Sequence, residues 1–223
     1  MYIFIPLVSG FVLGCLHAFD ADHLAAVSAV ASGRRSPASA LRLGAAWGLG
    51  HSAVLLVAGG LIVGFNIVIP AALQEWTEIA VGLMLIGLGA WTIRRVLNHR
   101  HIHIHRHVHN GTEHVHFHRH DSANEGSHDH RHSMFAIGAA HGLAGTGTIV
   151  LLIPIALANS PVAALSFLLV FGLGTMIAMS AFSLFFTLVV NTVSSERLLA
   201  SVQGAAGLAS MIVGLMWITI RLT

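Results

Sequence analysis

The 223 residues are 55% apolar and only 9% charged, against roughly 25% charged in an ordinary soluble protein. Eleven arginines, no lysine, nine acids, one cysteine and seventeen histidines are present, and residues 98–133 alone hold thirteen of the histidines and eight of the twenty charges. Twelve charged side chains are too few to cover the surface of the remaining 187 residues in water, so an all-α integral membrane protein is expected. The lack of lysine excludes a P-loop ATPase and a Schiff-base enzyme. A formal charge of +2 gives no reason to expect nucleic acid as a partner, and Cys15 has no second cysteine for an internal disulfide.

In chain order, six apolar stretches approach or exceed the roughly 20 residues that a bilayer requires: Ile3–Ala31, Leu41–Phe65, Trp76–Ile93, Met134–Ala158, Val162–Val190 and Leu198–Ile220. The first and fifth, at 29 residues each, are long enough that tilting, bending or breaking is expected. Met1-Tyr2-Ile3-Phe4 lacks the positive region of a signal peptide, so the first stretch is expected to stay as a span. With six spans, the loops after spans one, three and five and their flanks hold Arg34, Arg35, Arg42, Arg94, Arg95, Arg100, Arg106, Arg119, Arg131 and Arg197, and the other side holds Arg221 alone. That asymmetry predicts odd-numbered loops in the cytoplasm and both termini outside, in the cytoplasmic (inner) membrane.

An internal repeat is visible at an offset of 124. Gly14-Cys15-Leu16-His17 aligns with Gly138-Ala139-Ala140-His141, and Trp47-Gly48-Leu49-Gly50 with Phe171-Gly172-Leu173-Gly174, which sets His51 opposite Thr175. With one residue inserted, Gly82, Leu83 and Gly89 match Gly207, Leu208 and Gly214. A repeated three-span unit must be inverted, because an odd number of crossings returns on the opposite side. The expected organisation is a first three-helix repeat at 1–97, a His-rich cytoplasmic loop at 98–133 and a second three-helix repeat at 134–223.

Outside the loop four histidines remain: His17, His23, His51 and His141. Asp20 and Asp22 are the acids inside a predicted span away from its ends, where an ionisable group costs about 2.5–3.5 kcal/mol and so points to function. In His17-Ala18-Phe19-Asp20-Ala21-Asp22-His23, imidazole nitrogen and carboxylate oxygen form a ligand set for borderline divalent metals such as Ni(II), Co(II) and Zn(II). On a regular helix His17, Asp20 and His23 fall in a stripe about 120° wide, Asp22 points nearly opposite Asp20, and His17 and His23 are about 9 Å apart along the axis. Such a helix cannot aim all four groups at one ion. Either the span unwinds, or one aspartate orients an imidazole instead of ligating. His51 lies in Gly48-Leu49-Gly50-His51-Ser52, whose glycines let a neighbouring helix approach. His141 repeats the position of His17. Thr146, Thr148, Thr175, Met176 and Met179 offer weaker groups, for which packing is the favoured role.

These residues resemble the nickel/cobalt transporter family, with its His-x4-Asp-His signature inside His17-Ala18-Phe19-Asp20-Ala21-Asp22-His23 and a Gly-His-Ser motif at Gly50-His51-Ser52. The second half, His141-Gly142-Leu143-Ala144-Gly145-Thr146-Gly147-Thr148, departs from the larger eight-span members and looks like the compact, urease-associated UreH-type branch. The resemblance implies that the histidines and aspartates of the motif bind Ni(II) or Co(II) as transported substrate, without a resident cofactor. The expectation is a secondary transporter or permease and not an enzyme, with uptake favoured and a cytoplasmic nickel chaperone as a candidate partner. Efflux of Ni(II), Co(II) or Zn(II) is the first alternative. An intramembrane metalloenzyme is the second; it lacks a His-Glu-x-x-His helix and a glutamate deep in a span.

The loop carries its own pattern. Asn110-Gly111 is a strong signal for a two-residue turn, and the flanks alternate with period two. Pairing across that turn sets His107 opposite His114, His105 opposite His116, His103 opposite His118 and His101 opposite His120, with Ile104 against Phe117 and Arg106 against Val115. A metal-binding ladder for Ni(II) or Zn(II) is expected. Because an isolated hairpin is marginal in water, metal is the expected source of its folding energy and disorder the expected state without it.

Overall fold

The computed structural model describes residues 4–33, 36–65, 70–98, 104–109, 112–117, 130–143 and 160–222. The described residues form seven helices and one two-stranded sheet: α1 (Phe4–His17), α2 (Ala21–Ala31), α3 (Pro37–Phe65), α4 (Ala71–Asn98), β1 (Ile104–His109), β2 (Thr112–Phe117), α5 (His130–Gly142), α6 (Pro161–Thr192) and α7 (Glu196–Leu222). Four stretches are long and apolar enough to cross a membrane: Pro37–Phe65, Glu75–Asn98, Pro161–Thr192 and Glu196–Ile220. Large apolar side chains such as Val8, Leu16, Leu49, Val57, Phe185 and Leu215 face outward, as a lipid-facing exterior requires and a water-soluble one avoids. This is a multi-pass membrane protein.

The first predicted span does not run straight. It breaks at Ala18-Phe19-Asp20 into two helices of 14 and 11 residues, each shorter than the roughly 20 residues of a full span. Asp20 is the N-cap of α2, with φ −60° and ψ 146°. The equally long fifth stretch stays one unbroken helix of 32 residues. The fourth is helical only as far as Gly142 among the described residues, and positions 144–159, with Thr146 and Thr148, lie outside them. Six full-length spans are therefore not what the described residues form: four helices are of spanning length and two are shorter apolar pieces. Helix α5 starts at His130, a little before the boundary expected at residue 134.

Helix starts follow from local chemistry. Ser36 precedes Pro37 and its hydroxyl accepts from Ser39 N–H at 3.2 Å. Ser160 precedes Pro161 and accepts from Ala163 N–H at 3.2 Å. Serine at the cap with proline just inside suits the unpaired donors of a first turn. These two starts also lie 124 residues apart, an element of the repeat that the sequence comparison had missed.

At the centre α3 packs on α6, with α1 laid against α6 and α5 against α3. Alongside, α4 pairs with α7, and α2 contacts both. Glycines set the close approaches, and they come in matching pairs. A Cβ at Gly14 would collide with the carbonyl of Phe171, and one at Gly138 with the carbonyl of Trp47; Gly50 meets the carbonyl of Phe135, and Gly174 that of Phe11. Each contact maps onto its partner by the 124-residue offset. Between α4 and α7, Gly82 faces Gly214 and Gly89 faces Gly207, again related by the repeat. Without side chains the helix backbones touch, which is how membrane helices associate when lipid supplies no hydrophobic drive.

Among the described residues the departure from an all-helical fold is the antiparallel β1–β2 pair. Its register sets Ile104 opposite Phe117, His105 opposite His116, Arg106 opposite Val115 and His107 opposite His114, as the turn position and alternation predict. The proposed rungs His103–His118 and His101–His120, and the turn itself, lie outside the described residues.

Candidate metal centre

The break in the first span assembles the site. His17 is the last residue of α1, and His23 sits in the first turn of α2. Interrupting the helix between them brings their rings to 4.6 Å between centroids, against the about 9 Å of axial separation in a continuous helix. His51 from α3 joins them at 5.2 Å from His17 and 5.1 Å from His23. His17, His23 and His51 can each offer one ligand atom within 4.8 Å of the others, and all three are buried. His141, near the end of α5, adds a fourth ring at 5.5 Å from His23 and is 2% exposed.

The span breaks, as the first alternative from the sequence has it, and both aspartates, where the second alternative asks for one, orient a ring. His17 Nδ1–H donates to Asp20 Oδ2 at 2.8 Å, and His23 Nδ1–H donates to Asp22 Oδ1 at 2.9 Å. As an N-cap, Asp20 would ordinarily accept a backbone N–H with its side chain, but here it makes no such bond and serves the imidazole instead. His141 Nδ1–H is held by the Ile137 carbonyl at 3.1 Å. A carboxylate or carbonyl acceptor on Nδ1 fixes the proton there and leaves the Nε2 lone pair free. Nε2 of His17, His23 and His141, and both ring nitrogens of His51, are buried without a hydrogen-bond partner. Each orphan of this kind costs about 1–3 kcal/mol, and several converge on one place. Asp20, Asp22 and His23 form a second set with ligand atoms within 4.8 Å; sharing His23, it lies toward the half-exposed Asp20.

Aromatic walls enclose the rings. Trp47 stacks on His51 at 5.1 Å and 9° and meets His23 at 4.8 Å and His141 at 5.4 Å. Phe171, its counterpart in the repeat, packs on His17 at 5.4 Å. Sequence reasoning used Trp47 and Phe171 only to align the halves. Their position one turn before His51 and Thr175 was the signal that they flank the site. Thr175 spends its hydroxyl on the carbonyls of Gly14 and Phe171, both at 3.1 Å, and Met179 sits in the apolar core with Ala18, Val27, Leu43 and Trp47. Both fill packing roles, as expected. Glu78 is also buried, in the second turn of α4, near the end of its spanning stretch and apart from the histidine groups.

Comparison with known proteins agrees with a membrane protein. Residues 24–216 match the family described as the cytochrome c biogenesis protein transmembrane region. The chain is 30% identical over 183 residues to the urease accessory protein UreH of Bacillus sp. (strain TB-90), covering 79% of this chain and 74% of that protein. Two Arabidopsis thaliana proteins, Chloroplast protein FOR GROWTH AND FERTILITY 2 and 1, are each 31% identical over 79% of this chain, which spans about half their length, 45% and 48%. No solved structure matches the chain. The chain belongs to the family of the cytochrome c biogenesis protein transmembrane region and, with the Bacillus relative, to a UreH-like group of membrane proteins.

Proposed function

We propose that this protein is a secondary transporter or facilitated permease that carries Ni(II), with Co(II) as a second substrate, across the cytoplasmic membrane. One observation carries the reading: the buried imidazoles of His17, His23 and His51 converge with unpartnered ring nitrogens, two of them oriented by Asp20 and Asp22, with His141 beside them. Neutral imidazole nitrogen prefers borderline divalent metals, and Nε2 ligation with a carboxylate on Nδ1 is the usual arrangement of a metal-bound histidine. Similarity to a urease accessory protein supports nickel as the cargo, as does the resemblance of the motif to nickel/cobalt transporters.

The two halves act as inverted three-span repeats, with α1–α2 as one broken span. The reciprocal glycine contacts and the packing of His141 and Phe171 of the second half on the histidines of the first support this, because inverted-repeat transporters bind substrate at broken helices near the midplane. The arginine asymmetry argues for the His-rich loop in the cytoplasm and the termini outside. Membrane potential then favours uptake, since a divalent cation moving inward gains about 4.6 kcal/mol at 100 mV, and the loop holds arriving metal for a cytoplasmic chaperone. Efflux is the second reading, favoured by the same loop, which would load an exporter equally well.

The test is Ni(II) flux into proteoliposomes under an imposed potential, with Co(II) and Zn(II) as competitors. Alanine at His17, Asp22, His23 or His51 is expected to abolish flux while the protein remains inserted. Near-normal flux in two or more of these variants would sink the assignment. Impermeant thiol labelling of single cysteines, in the loop or before Met1, reads the orientation; a loop cysteine labelled from outside reverses it.

A further inference from the structure

Helix α6 carries Thr175, Met179, Ser183 and Thr187 at successive i, i+4 positions. These keep to one face, drifting about 40° per step. None of the four has accessible surface. The face starts at the histidine cluster, where Thr175 bonds Gly14 next to the Phe171 that packs on His17. It then runs outward. Ser52 of α3 meets Gly172, Gly48 meets Met176, and Gly44 meets Met179 and Ser180, so α6 descends as α3 ascends. Ser183 and Thr187 therefore lie between the cluster and the membrane face where α6 ends and α3 begins.

Their hydroxyls differ from others on the same helix. Thr175 donates to the Phe171 carbonyl, Ser180 to Met176 and Thr192 to Val189, the usual recourse of a hydroxyl in a membrane helix. Ser183 Oγ and Thr187 Oγ1 are buried with no partner, although bonding back would satisfy them. The repeat supplies a control: the aligned positions in α3 are Gly59 and Val63, so packing of the repeated unit does not require hydroxyls here.

We propose that Ser183 and Thr187 line the arm of the permeation path that joins the histidine cluster to the membrane face at the end of α6, serving a partly hydrated divalent cation. The inference rests on the transport reading above. A hydroxyl both donates and accepts, so it can replace part of a hydration shell without holding the ion as imidazole does, and a conducting arm needs such weak, successive contacts. Met179, packed with Leu43 and Trp47 between the cluster and Ser183, closes the arm in this conformation.

The experiment uses the full chain in proteoliposomes, with Ser183→Cys or Thr187→Cys in a Cys15→Ser background and Val189→Cys, on the exposed side of α6, as control. A charged, impermeant methanethiosulfonate reagent is expected to modify positions 183 and 187 from the face where α6 ends, to stop Ni(II) flux, and to react more slowly when Ni(II) is present. Position 189 should not react. Independently, the double variant Ser183→Ala, Thr187→Val removes both hydroxyls without adding bulk, and is expected to lower flux about tenfold, the scale of one lost polar contact, with Ni(II) affinity in detergent unchanged. No modification from either face, together with parental flux in the double variant, overturns the proposal. If modification occurs but the Cys15→Ser parent carries no Ni(II), the path stands and the cargo is misassigned. Intact Ni(II) flux without modification leaves the cargo and removes the path.

Discussion

The two halves of the molecule share a skeleton and differ in chemistry. Gly14 on Phe171 and Gly138 on Trp47 are the same contact made twice, as are Gly50 on Phe135 and Gly174 on Phe11. The ends of α1 and α5 both deliver a histidine to an aromatic ring of the other half, His17 to Phe171 and His141 to Trp47. The side chains one turn further on diverge. His51 contributes two unpartnered nitrogens to the cluster, whereas Thr175 uses its hydroxyl to tie α6 to α1. Positions where backbones touch are glycine in both halves, while the positions of His51 and Thr175, which face the centre, carry different side chains.

The largest expected effect breaks the shared skeleton. Gly14→Val and Gly138→Val should each destabilise the protein by about 3 kcal/mol or more through overpacking against backbone that cannot yield. A large and similar fall in melting temperature in detergent is the expected readout. Gly87→Ala, at a position with open space around it, should change stability by no more than about 1 kcal/mol. If Gly138→Val were tolerated and Gly14→Val were not, the equivalence of the halves would fail.

Next, exchanging the divergent positions sharpens the contrast. His51→Ala should remove Ni(II) flux and high-affinity binding, whereas Thr175→Val should keep both and cost about 1 kcal/mol of stability from a lost interhelical bond. Calorimetric Ni(II) titration together with thermal melting separates the two losses. A third comparison concerns the aspartates. Asp22→Asn should weaken Ni(II) binding by about 10–100-fold, the usual cost of losing a group that orients a metal-bound histidine. Asp20→Asn should lie at the mild end of that range, because Asp20 is 41% exposed and Asp22 only 13%. Equal losses would mean that exposure does not rank them.

The smallest effects belong to the loop. Deleting residues 99–132 should alter metal retention more than maximal flux. In a His51→Ala background, inserting one residue after Gly111 should weaken residual Ni(II) binding several-fold, because it takes His105 and His107 out of register with His116 and His114 and a one-residue slip moves a strand's set of side chains to the other face. Unchanged binding would return the loop to a disordered chelator.

Much of this was legible in the residues, for identifiable reasons. Membrane class followed from the missing charges, and hairpin register from Asn110-Gly111 with period-two flanks. The cluster of His17, His23 and His51 followed from the cost of placing such groups in an apolar stretch. What periodicity could not reveal was where the first span breaks, because Ala18-Phe19-Asp20 contains neither proline nor glycine. The break shows in the backbone of Asp20 and in a carboxylate drawn to His17 instead of the helix end. Trp47 escaped notice as a site residue because an aromatic among glycines reads as packing until its neighbours across the helix interface are known. Ser183 and Thr187 escaped too, since hydroxyls in membrane helices usually bond back to their own helix and carry no signal.

The stacking of Trp47 on His51 makes the site its own optical probe. An indole held face to face with an imidazole in a buried position emits according to what that ring binds, and a paramagnetic ion within a few ångströms quenches it. Trp76 and Trp91 lie at the exposed surface, and Trp217 borders a separate core between α2, α4 and α7. Replacing these three by phenylalanine leaves one tryptophan, at the centre. Occupancy of the cluster then becomes readable in real time from intrinsic fluorescence, with no attached label and no need for the metal to cross.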